Sequence, residues 1–199
     1  MAAFIMEIER EDDTMKQKSF IKNLVFCALC IALCTVLPMA FHAIPNAGSV
    51  FCPMHIPVFL CALACGWPYG MVCGLLGPVI SSLSTGMPPA AILPVMTVEL
   101  SIYGLASGLL MRFVHTKSAY ADIYISMVPA ILIGRVFAGL SAAFVFGSQS
   151  ITSIGAWVTS YFVTNLPGTA IQLVLIPLLV IALMRMRLIP QRYPSKSAK

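Results

Sequence analysis

The chain consists of long apolar runs separated by short polar segments. No Asp, Glu, Lys or Arg occurs between Lys22 and Glu99, and none occurs between Arg135 and Arg185. A helix that spans a bilayer needs about 20 mostly apolar residues, so each run is long enough for several such helices. Gly and Pro residues interrupt both runs and mark the turns between helices. The pattern therefore predicts an all-α integral membrane bundle.

Dividing the runs at their turn residues gives six transmembrane helices. A tight turn at 66–70 joins the second and third spans, which are short. Residues 1–19 are predicted to form an N-terminal tail, residues 20–187 the six-helix substrate-binding domain, and residues 188–199 a basic C-terminal tail. The predicted spans are 20–39, 54–65, 71–83, 91–113, 123–146 and 155–184.

The positions of Lys and Arg predict the orientation of the bundle. Cytoplasmic loops of membrane proteins carry an excess of these residues. With six spans, the basic residues near both termini and in the loop after the fourth span share one side, and the connections around Asn46, Thr85 and Ser150 carry none. Both termini are therefore predicted to be cytosolic. The outer loops are apolar, so we expect them to fold back over a ligand pocket.

Composition excludes several classes of protein. Hydrophobic residues make up 59% of the chain and charged residues only 10%, against roughly 25% charged in a soluble domain. The net charge of +5 lies at segment ends, so no nucleic-acid surface is expected. The cysteines lie in apolar runs without metal-ligand spacing, so no metal or cofactor is expected. The chain has no HExxH, GxSxG or P-loop motif, so an enzyme is not expected.

Two charged residues fall within predicted spans and mark a candidate site. A charge near the bilayer centre is costly and usually functional or paired. Counting helical rise from the predicted outer ends puts Glu99 roughly 12 Å, Arg135 roughly 18 Å and Asn165 roughly 15 Å into the membrane. Their common depth predicts a substrate-binding pocket that opens to the outside. The alternative is a structural ion pair between Glu99 and Arg135, with Asn165 capping a backbone carbonyl.

Other polar side chains could extend this pocket. Tyr103 lies one turn below Glu99, and Gln172 lies two turns below Asn165. His42 and Asn46 in the first outer loop, and His55 at the start of the second span, are near enough in sequence to line its mouth. The guanidinium of Arg135 would suit a carboxylate or phosphate, whereas Glu99 would suit an amine or a ring N–H.

Several segments together resemble a known family. They are residues 44–74, the STGMPP of 84–89, the E-x-x-x-Y-G that begins at Glu99, and the IGRVFAG of 133–139. In order and spacing these segments are similar to those of the substrate-binding S components of energy-coupling factor (ECF) transporters. The resemblance covers nearly the whole chain, including the six-span plan.

The resemblance implies a substrate-capture subunit of an ABC importer in the bacterial plasma membrane. Such a subunit binds a vitamin or related micronutrient from outside and works with a membrane coupling (T) protein and two cytosolic ATPases. It also implies that Ala28 and Ala32, an A-x-x-x-A on the first span, face the coupling protein. The alternative function is an autonomous, homo-oligomeric secondary carrier or channel for a small polar solute, with the charge pair as its gate.

Overall fold

The computed structural model describes residues 2–41, 52–146, 159–186 and 188–189, and within them the chain is helical. Six α-helices and one π-helical segment, Thr159–Thr164, account for most of these residues. The prediction of an all-α fold is confirmed. The helices are α1 (Ala2–Phe41), α2 (His55–Cys65), α3 (Trp67–Thr85), α4 (Leu93–Phe113), α5 (Ala119–Phe146) and α6 (Leu166–Arg185).

Four of the described helices are long and apolar enough to cross a membrane. They are the Ser19–Ala40 part of α1, α4, the Ala119–Val145 part of α5, and α6. Helix α2 is apolar but has only 11 residues, which is about 16 Å of helix. Helix α3 has 19 residues and includes several Ser, Thr and Gly residues. Four of the six predicted spans therefore correspond to helices that are long and apolar enough to cross a membrane. The side of the membrane on which the termini lie stays a prediction.

The short helix α2 lies in the middle of the bundle. It packs against α1, α3, α4 and α6, and eight of its eleven residues are buried. A helix that is apolar on every side is stable only when other helices surround it. This position fits its apolar composition, because neighbouring helices cover most of its residues.

Glycines close the two turns that flank α3. Gly66 alone joins α2 to α3, with φ of 95°, and Gly86 follows α3 with φ of 74°. Both values lie in the region that glycine adopts without steric cost. The amide of Gly86 donates to the carbonyl of Ser82 and so caps α3. The predicted tight turn is confirmed at Gly66 alone, because residues 67–70 of the predicted turn already belong to α3, and the predicted break after the third span is confirmed from Gly86 onward.

The structure corrects the predicted bounds of the sixth span. Residues 159–164 are π-helical, and the α-helix begins only at Leu166. Pro167 is favoured in the first turn of a helix, where its missing N–H is not needed, and it stands at the second residue of α6. At the other end of the chain, α1 continues through the predicted boundary between tail and first span at residue 19.

Small residues bring α3 and α4 into backbone contact. Gly70 on α3 faces Gly104 on α4, Gly74 faces the backbone of Leu100, and Gly108 faces the start of α3 at Trp67. A Cβ added at Gly104 would meet the backbone carbonyl of Gly70, and one at Gly74 would meet that of Leu100. Small residues at this spacing allow close helix packing in membranes, where no hydrophobic force draws helices together.

We predict that Gly104→Ala destabilises the fold. A methyl group at this position collides with backbone, which cannot move aside as a flexible side chain can. We expect a loss of about 2 kcal/mol in the free energy of unfolding, although alanine is the better helix former. Thermal unfolding in detergent measures this change. Ser101→Ala is the control, since the Ser101 hydroxyl contacts only the Thr97 carbonyl of its own helix. Equal stability of the two variants would contradict the prediction.

Candidate functional site

A buried carboxylate lies at the centre of the candidate site. Glu99 is 7% exposed and Tyr103, one turn later on α4, is 1% exposed. The Tyr103 hydroxyl donates to Glu99 Oε1 at 2.6 Å. His55, the first residue of α2, places its Nε2 at 3.9 Å from the same oxygen. Two helices thus present a hydroxyl and an imidazole to one carboxylate oxygen.

Aromatic packing holds the Tyr103 ring in place. The ring stacks on Phe59 at a centroid distance of 5.2 Å and lies 5.1 Å from the ring of His55. His55 and Phe59 are four residues apart on α2, so both face the same side. On the opposite side Gly134 of α5 leaves room for the ring, because a Cβ there would contact its edge carbons. The ring is therefore wedged between α2 and α5, which aims its hydroxyl at Glu99.

The second charged side chain, Arg135, lies on α5 next to Gly134. It is 6% exposed, and its Nη2 donates to the hydroxyl of Thr169 on α6 at 2.5 Å. That hydroxyl in turn donates to the carbonyl of Asn165 at 2.9 Å. Both Glu99 and Arg135 act electrostatically on the Tyr103 hydroxyl, so the two charges belong to one environment.

Helix α6 contributes one more buried polar side chain. Gln172 is 3% exposed, and its Nε2 donates to the carbonyl of Cys52, just before α2, at 3.4 Å. Four helices therefore send polar groups into the same interior region. We call these residues the polar cluster: His55, Glu99, Tyr103, Arg135, Thr169 and Gln172.

The structure brings together most of the residues that the sequence indicated. Asn165 differs, because it caps α6 and is partly exposed instead of lying within a span. It is linked to Arg135 through its carbonyl and the Thr169 hydroxyl. The contacts described for Glu99 are with Tyr103 and His55, and the alternative of a structural Glu99–Arg135 pair stays a hypothesis. His42 and Asn46 lie outside the described residues.

Sequence reasoning missed Thr169. The sequence indicates this residue only by its position, four residues after Asn165 and three before Gln172. This spacing puts it on the same face of α6 as those two residues. A lone threonine in an apolar helix commonly bonds to its own backbone, so the residue carried no distinctive pattern. Only the approach of α5 to α6 shows that its hydroxyl also accepts from Arg135.

The imidazole of His55 has a buried polar atom without a hydrogen-bond partner among the described residues. His55 is 5% exposed, and its Nδ1 has no hydrogen bond within the part of the chain that the structure describes. A buried polar atom without a partner costs roughly 1–3 kcal/mol, so such atoms are rare outside functional sites. If the Nε2–H points to Glu99, Nδ1 is an acceptor for a ligand N–H or O–H group.

The cluster is chemically suited to binding. It offers a carboxylate, an imidazole and a guanidinium, each from a side chain that is more than nine-tenths buried. Among residues 52–146 and the other described segments, no group of three or more His, Cys, Asp or Glu is arranged to hold a metal ion. The cluster is closed, since its two charged side chains are each more than nine-tenths buried. A ligand would have to enter by displacing the contacts between these side chains.

A different surface presents Ala28 and Ala32. Helix α1 buries a stripe of Cys27, Cys30 and Cys34 against α2 and α3. The two alanines lie on the outward face of the same helix and are exposed. Around them the face carries large exposed apolar side chains, including Leu24, Val25, Leu29 and Val36. This face can accept a further helix at close distance, because alanine side chains are small.

Comparison with protein families gives a match over most of the chain. The family model described as the substrate-specific component of the ECF transporter matches residues 22–180. The match runs from α1 to α6 and includes the whole polar cluster. Comparisons with curated proteins and with solved structures gave no match.

We predict that Tyr103→Phe destabilises the protein. The variant keeps the ring but leaves Glu99 without its hydroxyl donor in a buried site, where a hydrogen bond to a charged group contributes about 1.5–3 kcal/mol. Thermal unfolding should show a clear fall in melting temperature. Tyr124→Phe is the matched control, since Tyr124 lies on α5 and is 40% exposed. A melting temperature no lower than that of the control would argue against the hydrogen bond.

Proposed function

The chain belongs to the family of substrate-specific components of ECF transporters, and on this premise we propose that it captures a vitamin or related micronutrient. It is a transport subunit and not an enzyme, in a family that implies a small-molecule substrate, a T component and ATPases. In our proposal it is a multi-pass protein of the bacterial plasma membrane. It takes its substrate from outside and delivers it inward with an ATP-driven coupling module.

The observation that carries this proposal is the polar cluster. Charged groups inside an apolar bundle reduce stability unless they are partnered, and in membrane proteins they commonly mark substrate pathways. Glu99 and Arg135 occupy such an interior, with partners from α2, α4 and α6. We therefore propose the polar cluster as the substrate site, with His42, Asn46 and Asn165 as further contributors.

The chemistry of the cluster favours a substrate with two unlike ends. A guanidinium matches the geometry of a carboxylate or phosphate, which makes Arg135 the proposed partner of an anionic group. Glu99 and the unpartnered Nδ1 of His55 accept hydrogen bonds, which suits an amine, a hydroxyl or a ring N–H. A pyridoxine-like, pantothenate-like or other carboxylate- or phosphate-bearing cofactor precursor would fit this pattern.

Coupling is proposed to occur at the outward face of α1. The sequence contains no P-loop motif, so we assign ATP hydrolysis to two cytosolic partner proteins. Ala28 and Ala32 are exposed on an apolar helix face, which supports the docking of a helix of the T component there. The outward face of α1 that docks on the T component would then be separate from the polar cluster that binds substrate.

We predict that Arg135→Ala and Glu99→Gln each weaken substrate binding. Each removes a charged hydrogen-bonding partner, and the loss of about 1.5–3 kcal/mol corresponds to roughly 10- to 100-fold in affinity. The measurement is mass spectrometry of the small molecule that co-purifies with the protein, per mole of folded protein. Tyr124→Phe is the control. Unchanged retention in both variants would place the substrate site elsewhere in the chain.

We predict that Ala28→Leu with Ala32→Leu spares substrate binding but reduces uptake. The larger side chains would occupy the space next to α1 where we expect the coupling protein to dock. The assay is uptake into vesicles that contain the full module and ATP. Ala40→Leu is the control, because Ala40 is also exposed on α1 but lies three turns from Ala28. Normal uptake by the double variant would contradict the coupling assignment.

The same vesicles separate the proposal from the alternative function. In our proposal the chain alone, without the module and ATP, gives no uptake under an ion gradient. An autonomous homo-oligomeric carrier or channel would give uptake under those conditions. Gradient-driven uptake by the purified chain would therefore overturn the proposed function.

A further inference from the structure

A second candidate site lies at the opposite end of α2 and α4 from the polar cluster. A surface cavity of about 380 Å³ opens between the last turn of α2, the first turn of α3 and the last turn of α4. Its lining includes Leu63, Trp67, Met111 and Arg112. Arg112 is 13 residues after Glu99 on α4, or about 20 Å along the helix. The cavity is therefore independent of the proposed substrate site.

Close packing of α3 on α4 forms one wall of the cavity. A Cβ at Gly108 would contact the backbone of Trp67, so the start of α3 lies directly against α4. Arg112 is one turn beyond Gly108 and shares its face of the helix. This arrangement brings the guanidinium and the indole to the rim of the same cavity.

The charge of Arg112 has no protein partner in the segments that the structure describes. The residue is exposed in the last turn of α4, and none of the described hydrogen bonds or ion pairs involves its guanidinium. The positive charges of the chain cluster at this end of the bundle, where Lys117 follows on the loop to α5. The cavity thus has a positive rim over a floor of buried apolar side chains, among them Leu63 and Met111.

We propose that this cavity binds the phosphate headgroup of an anionic glycerophospholipid. Helix α4 is long and apolar enough to span the membrane, so its last turn lies at the depth of lipid headgroups. Basic pockets between helices at this depth suit lipid phosphates, and tryptophan is typical of the same zone. The lining combines apolar side chains, Leu63 and Met111 among them, with polar surface, so it can contact both a lipid phosphate and the first carbons of the acyl chains.

The test is native mass spectrometry of the full chain titrated with dioleoylphosphatidylglycerol or dioleoylphosphatidylcholine. We expect the wild-type protein to retain the anionic lipid more strongly than the zwitterionic one. Arg112→Gln should weaken retention of the anionic lipid about fivefold, the effect of about one basic residue near an anionic lipid surface. Arg112→Lys should restore part of the preference, because it keeps the charge but not the planar fork.

Lys117→Gln is the matched control, because it removes the same charge from the same end of the bundle but lies outside the cavity lining. We expect it to change retention less than twofold. Equal losses in Lys117→Gln and Arg112→Gln would show general surface attraction and overturn the proposal, as would no loss in Arg112→Gln. Displacement of the lipid by excess sn-glycerol 3-phosphate would identify a site for free phosphate and also overturn it.

Discussion

The burial of a carboxylate and a guanidinium inside an apolar bundle is the constraint on which the rest of this structure depends. Both side chains are more than nine-tenths buried, so each needs polar partners within the protein. Glu99 receives the Tyr103 hydroxyl and faces His55, and Arg135 donates to Thr169. To supply these partners, α2, α4, α5 and α6 must meet at one place. The polar cluster therefore determines which helices are neighbours as much as it determines what the protein can bind.

Glycines allow the helices that carry the polar cluster to approach their neighbours closely. At Gly104 and Gly134 a side chain would collide with the neighbouring helix or with the Tyr103 ring. Without these glycines α4 could not approach α3 so closely on one side, and the Tyr103 ring could not lie against α5 on the other. The short helix α2 fills the centre of the arrangement and contributes His55 at its first residue. Close packing at glycines and hydrogen bonding between polar side chains thus act together to hold these helices against one another.

The chain separates its proposed tasks in space. The interior holds the polar cluster, the outward face of α1 presents Ala28 and Ala32, and the far end of α4 presents Arg112 at its cavity. A binding subunit that works with a separate energy-supplying module benefits from this division. Docking of a partner on α1 need not disturb contacts inside the bundle, because the buried stripe of α1 packs on α2 and α3.

The sequence by itself determined the all-α membrane character, the positions of most turns, and the presence of two charged residues, Glu99 and Arg135, within apolar helices. These follow from local properties, because apolar runs, Gly and Pro act where they occur and a charge within such a run is conspicuous. Only the tertiary structure decided that Glu99 pairs with Tyr103 and His55, that Thr169 serves Arg135, and that the sixth helix begins at Leu166. Partner choice depends on which helix faces approach each other, and that approach depends on packing between residues far apart in the chain.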